Sequence, residues 1–364
     1  MKTPSHLFGC LALLGLFVIE DPFSCSGPAP DHRSLAITYL EQGRHEQALI
    51  AANRAIRQNR QDGTLHLIVA LAHLGKNENK DAFAALEQAV LTEPENPQIH
   101  TTLRQIFLQE ERFDRARDIF SSLLRQKPDS GLAQAGLGWA HMHLGNEEEA
   151  LELLEQAVDN PNSNIFAHVQ LSAIYTRHER VEEAIEVLQK ALEKNRDDQQ
   201  LLLTLGEYLL DQDRINEADR NFEKALRNST TRAATASRIA QNYYSHNLRR
   251  KAIEYYERAI GYEPLAPLLL NNLAWTYAEE GIELDRALEL SLQTLKADAD
   301  NVVYLDTYAE LLYKKGQYDR AIILMRQALD LEHEDGPHYQ HLQEQMRKFR
   351  LALKEDNSPR PPTP

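Results

Sequence analysis

Apolar positions recur along this chain at spacings of three, four and seven, the period of a helix that buries a single stripe. Around residue 184 the pattern predicts two helices in succession. Leu171, Ile174 and Tyr175 share one face of the first, and Ala184, Ile185, Leu188, Ala191 and Leu192 share one face of the second. Gly43, Gly145, Gly281 and Gly316, with Asn77 and Asn247, stand between paired helices, and these residue types tolerate the left-handed backbone that closes a helix. Pro94, Pro128, Pro161 and Pro264 mark the turn after the second helix, where no backbone donor is needed.

The two-helix unit repeats. Ala48, Ala82, Ala116, Ala150, Ala184, Ala218 and Ala252 lie 34 residues apart, and Ala287 and Ala321 follow after steps of 35 and 34. Seven positions later runs a second ladder of Ala55, Ala89, Ala157, Ala191, Ala225, Ala259 and Ala328, interrupted by Leu123 and Thr294. Twelve positions before the first ladder stand Ala36, Ala70, Gly138, Ser172, Gly206, Ala240 and Ala309, joined by Ala274, with Arg104 as the exception. Helix axes approach to about 8 Å only where side chains are short. Three small positions per unit therefore let each helix nest against the next, while Phe107, Phe120, Tyr175, Phe222, Tyr243 and Tyr277 fill the gaps as core. The extra residue between Gly281 and Ala287 falls in a turn, where an insertion leaves the stack undisturbed.

This pattern resembles the tetratricopeptide repeat (TPR). The resemblance is carried by His100, Leu103, Phe107, Ala116, Phe120 and Pro128, and again by Leu202, Leu205, Gly206, Ala218 and Phe222. It implies an all-α fold: a right-handed superhelical TPR solenoid of about nine helix-turn-helix repeats plus a C-terminal capping helix. The expected repeats are 29–62, 63–96, 97–130, 131–164, 165–198, 199–232, 233–266, 267–301 and 302–335, together 29–335. A capping helix is expected at 337–354, with Tyr339, Leu342, Met346, Phe349 and Leu353 inward and Arg347, Lys348, Arg350 and Lys354 on the other side. The proline-rich tail, 355–364, is expected to be disordered.

Length alone, 364 residues, would suggest two or three domains; the repeat register converts it into a repeat number. A formal charge of -15, about -14 of it on the chain beyond the leader, disfavours nucleic acid as a partner. The two cysteines, Cys10 and Cys25, both precede the repeats, so no disulfide holds them together. Residues 1–26 read as a leader. The apolar run Leu7–Ile19 is too short to span a bilayer and has the size of a secretory signal core. Two processing outcomes stay open: lipidation of Cys25, flanked by Ser24, Ser26 and Gly27, or cleavage after Ser26. Either implies export, to the periplasm or to an outer-membrane-anchored lipoprotein of a bacterium; an uncleaved anchor or a cytoplasmic protein is the remaining alternative. Asn271-Asn272-Leu273-Ala274-Trp275 and Leu305-Asp306-Thr307-Tyr308 also resemble the terminal repeats of exported bacterial TPR lipoproteins.

Catalytic chemistry has little to stand on. His141 and His143, two apart, fall on different helix faces; His338 and His341, three apart, share one, but no carboxylate or cysteine motif completes a metal site. No Gly-x-Ser-x-Gly, Walker-type or dinucleotide motif occurs. No enzyme activity, cofactor or metal is expected. The resemblance implies instead a protein or peptide partner in the concave groove lined by the first helices. Its lysine-asparagine carboxylate clamp is missing, since Glu279 and Glu310 flank Asn271, so a terminal carboxylate is a poor ligand. Two sub-sites are expected on that face: Trp139, His143 and Phe166, and Tyr244, Asn271, Trp275, Glu279, Glu310 and Tyr313. Each tryptophan is either an exposed anchor or packed between repeats. The chain is expected to act as an interaction scaffold of the cell envelope, or as a recruiting subunit for a separate envelope enzyme that makes or exports polysaccharide or modifies peptidoglycan.

Overall fold

The computed structural model describes residues 31–161 and 163–356, and every regular element among them is an α-helix. The leader, with Cys25, and the last eight residues lie outside the described residues. No described helix is long and apolar enough to cross a membrane. The described residues divide into two compact units, the first ending at Ala191 and the second starting at Leu192. The first holds α1 (His32–Glu41), α2 (His45–Gln58), α3 (Gly63–Gly75), α4 (Asn79–Thr92), α5 (Pro97–Gln109), α6 (Phe113–Gln126), α7 (Gly131–His143), α8 (Glu147–Asp159), α9 (Ile165–Arg177) and most of α10 (Val181–Lys194). The second holds α11 (Gln199–Asp211), α12 (Ile215–Asn228), α13 (Arg232–Ser245), α14 (Arg249–Tyr262), α15 (Pro267–Glu280), α16 (Leu284–Ala297), α17 (Val302–Lys314), α18 (Tyr318–Leu331) and α19 (Tyr339–Asp356).

Side-chain chemistry at the ends sets where each helix pair starts and turns. Asp62, Asn96, Ser130, Asn164, Asp198 and Asn301 accept backbone N–H groups in the first turn of their first helices, filling donors the helix cannot satisfy itself. Each first helix then closes through one left-handed residue. Gly43, Asn77, Gly145, Asn247, Gly281 and Gly316 hold this place, and so do Glu111, Glu179 and Asp213, at φ between 52° and 59°. Beyond it, the next N–H reaches back across the turn, as in Arg112 N to Phe107 O (3.1 Å), Arg180 N to Tyr175 O (2.8 Å) and Gln317 N to Leu312 O (2.9 Å). The longer turn after Gly281 absorbs the extra residue by placing Glu283 in the left-handed region as well.

Packing follows the ladders. All nine alanines of the first ladder are completely buried. Where glycine stands in the third, the approach is closer still: a Cβ on Gly206 would lie 2.3 Å from Phe222 Cε1, and one on Gly138 would lie 2.7 Å from Leu154 Cγ. The second unit ends on α19, which lays Leu342, Met346 and Phe349 against Leu305, Ala309 and Leu312 of α17 and Met325 of α18. This helix starts two residues later than the expected 337 and runs two past 354. Lys348, expected on its outer side, turns inward instead, because Glu310 of α17 is buried and accepts a hydrogen bond from its Nζ at 2.6 Å.

Candidate functional site

The two expected sub-sites fare differently. In the first unit, Trp139 on α7 is only 5% exposed and is therefore core, not an anchor. Phe113 of α6 covers it edge-on at 5.6 Å and stacks flat against His143 at 4.3 Å between centroids, which explains the burial. Phe166 on α9 is also taken, its ring lying under the Arg104 guanidinium at 3.6 Å. Arg104, the residue that broke the ladder of small side chains, thus reaches along the first-helix face from α5 and is itself buried. The aromatic groups of this sub-site find their partners within the chain.

In the second unit, Trp275 on α15 is half-buried. Its Nε1 donates to the Tyr244 hydroxyl of α13 (2.9 Å), and that hydroxyl donates to Glu279 Oε2 (2.6 Å), which also accepts from Arg249 Nε (3.1 Å). Burial first, then this carboxylate, pushes the Tyr244 phenol above its ordinary pKa, so it remains a donor at neutral pH. Beside the relay opens a cavity of about 420 Å³, lined among others by Tyr244, Tyr256, Asn271, Trp275, Asp306 and His341. Its walls come from first helices α13, α15 and α17, from α14 and from α19.

Equivalent positions of consecutive first helices place Asn271 and Asp306 in this cavity, 4% and 8% exposed. His341 Nε2 meets Asp306 Oδ2 at 3.0 Å, and this hydrogen bond holds the imidazole above its usual pKa. The other carboxylate oxygen, Asp306 Oδ1, and the amide oxygen, Asn271 Oδ1, are buried without a partner. Burial pushes the Tyr256 phenol up to about 12.

Of the residues grouped with Trp275 from the sequence, the structure gathers Tyr244, Asn271 and Glu279 around it and removes two. Glu310 is bound to Lys348, and the Tyr313 ring is stacked on Phe349 of α19 at 4.9 Å between centroids with Lys348 Nζ 4.4 Å above it. The terminal helix packs against both: Glu310 is buried, and Tyr313 is half-buried beside Phe349. Asp306 and His341 replace them. The helix face expected to join His338 and His341 does not form, because α19 starts only at Tyr339; both residues still line the cavity, His338 from the turn before the helix, and His341 alone makes a carboxylate contact.

Elsewhere among the described residues, His73, Glu78 and Asp81 bring ligand-type atoms within 4.8 Å of one another. Glu78 already serves His73 Nδ1 (2.7 Å) and Lys76 Nζ (3.0 Å), an ion-pair arrangement around the turn at Asn77.

Family profiles described as tetratricopeptide repeat match residues 33–98, 73–134, 107–165, 167–202, 237–302 and 309–338. No curated protein matches the chain. Among solved structures, yeast Tom70 is similar at 14% identity over 89% of this chain and 81% of that one, with a TM-score of 0.45. A tetratricopeptide repeat protein from Parabacteroides merdae is 16% identical over 68% of this chain and 95% of that one (TM-score 0.45). Pseudomonas aeruginosa pilF is 22% identical over 64% and 99% (TM-score 0.41).

Proposed function

Because the chain belongs to the tetratricopeptide repeat family, we propose that it is a non-catalytic scaffold that holds a protein partner on the first-helix face of its second unit. The observation that carries this reading is the cluster at Trp275. A half-buried tryptophan and tyrosine, the tyrosine bonded to both the tryptophan and Glu279, line a cavity together with Asn271 and Asp306, each of which keeps a buried acceptor without a partner. Rigid aromatic side chains with their polar ends already satisfied lose little entropy on binding, which is why they dominate protein interfaces.

The same proposal places the scaffold in a bacterial cell envelope. The support is the sequence of the leader, with its apolar run Leu7–Ile19 and Cys25 among small residues. Metabolic palmitate labelling that disappears in Cys25→Ala is the expected result for a lipid anchor; unchanged labelling refutes it.

Trp275→Ala tests the site. Capture of the partner is expected to be lost while thermal unfolding stays nearly unchanged, because the indole is not core. Retained capture, or loss of the fold, overturns the assignment.

A further inference from the structure

We propose that the cavity beside Trp275 receives the cationic side chain of a lysine or arginine from the partner protein, its charged head donating to Asp306 Oδ1 and Asn271 Oδ1. This rests on the reading of the cavity as the partner site and names what enters it.

Two of the side chains that line the cavity select for donors. Asn271 and Asp306 are each more than nine-tenths buried, and each keeps an oxygen without a partner. Leaving a buried acceptor unpaired is costly, and more so when it is charged. A ligand group with several N–H donors removes that cost at both atoms at once. An anion would meet the Asp306 carboxylate, and an apolar group would leave both oxygens unpaired. A neutral amide or hydroxyl would satisfy hydrogen bonds without using the charge.

The walls suit the same group. Trp275, Tyr244 and Tyr256 offer aromatic surface beside the acceptors, and aromatic faces attract ammonium and guanidinium groups most strongly where water is excluded. The first unit already contains such a pairing in cis, the Arg104 guanidinium 3.6 Å over Phe166. The chain's own cations near the cavity are committed elsewhere: Arg249 to Glu279 and Lys348 to Glu310. His341 reaches only the other oxygen of Asp306. A volume of about 420 Å³ accommodates one long side chain with part of its backbone.

The probes are the N-acetyl N′-methylamides of lysine, arginine and norleucine, titrated into the full chain with the Trp275 indole N–H followed by NMR. The lysine or arginine probe is expected to shift that resonance and to bind at least tenfold more tightly than norleucine; which of the two wins separates ammonium from guanidinium recognition. Asp306→Asn is expected to weaken the cationic probe at least tenfold and leave norleucine unchanged. Asn271→Ala, which keeps Asp306 and its contact with His341, is expected to weaken the cationic probe several-fold and serves if the first variant melts early. Equal affinity for norleucine, no binding of either cation, or full affinity in both variants overturns the inference. If the cations fail while Trp275→Ala still abolishes partner capture, the partner site stands and only its proposed occupant falls. If Trp275→Ala leaves capture intact, the site itself falls.

Discussion

His100 on α5 is completely buried. Its Nε2–H donates to the Pro94 carbonyl at 2.8 Å, its ring stacks on Phe120, and Nδ1 has no partner. Desolvation dominates: burial pushes the imidazole from 6.5 down to about 4, helped by the nearby Arg104 and opposed by the Pro94 bond. The sign follows from which state takes up the proton first. Between pH 6.5 and 4 the unfolded chain binds a proton that the folded chain refuses, so stability is full above pH 6.5 and is lost as pH falls. From 6.5 unfolded to about 4 folded, at roughly 1.4 kcal/mol per pH unit, the linkage amounts to about 3 kcal/mol, of which about 2 kcal/mol is gone by pH 5. His100→Gln keeps an amide N–H for the Pro94 carbonyl and removes the titration. Urea denaturation of both proteins at pH 7.5 and pH 5 isolates the histidine, since every other titrating group cancels in the difference. The advantage of the wild type over the variant should shrink by about 2 kcal/mol at pH 5. An advantage independent of pH, or an NMR titration of the His100 ring with a midpoint near 6.5, refutes the reasoning.

Two further outcomes test the packing and the turns. Gly206→Ala places a methyl group 2.3 Å from the Phe222 ring, and the forced repacking should cost about 1–3 kcal/mol in thermal or urea unfolding; an unchanged curve would mean the helices of that pair are not in contact as described. Glu179→Gly removes a side chain from a left-handed position at φ 59° and should stabilise the fold by roughly 0.5–1 kcal/mol, whereas destabilisation would show that Glu179 makes a contact worth more than the strain.

The repeats were legible because packing writes itself into residue size. Every alanine of the first ladder is completely buried in the helix stack, where a small side chain is what close packing favours. The turns were legible only where glycine or asparagine filled the left-handed place. Glu111, Glu179 and Asp213 fill it too, held by the back-bonds of the turn, and only the 34-residue register points to them. The binding face was the least readable part. Trp139 and Trp275 occupy equivalent repeat positions, yet one is core and the other lines a cavity, because Phe113 and His143 close over the first. Glu310 and Tyr313 read as open surface until Lys348 and Phe349, more than 30 residues away, are seen to cover them. Periodicity assigns a residue to a face; which residues that face then loses to the chain's own side chains depends on contacts that no local pattern records.

Site-specific photocrosslinking reaches the central claim most directly. Val303, 40% exposed at the rim of the cavity, and Ile323, 63% exposed on the second helix α18, each accept a photoreactive side chain without entering the core. A crosslink from position 303 to one polypeptide, absent from position 323 and abolished by Trp275→Ala, is the predicted result. The same crosslink from position 323, or one from position 303 that survives Trp275→Ala, would contradict the assignment of the partner to this face.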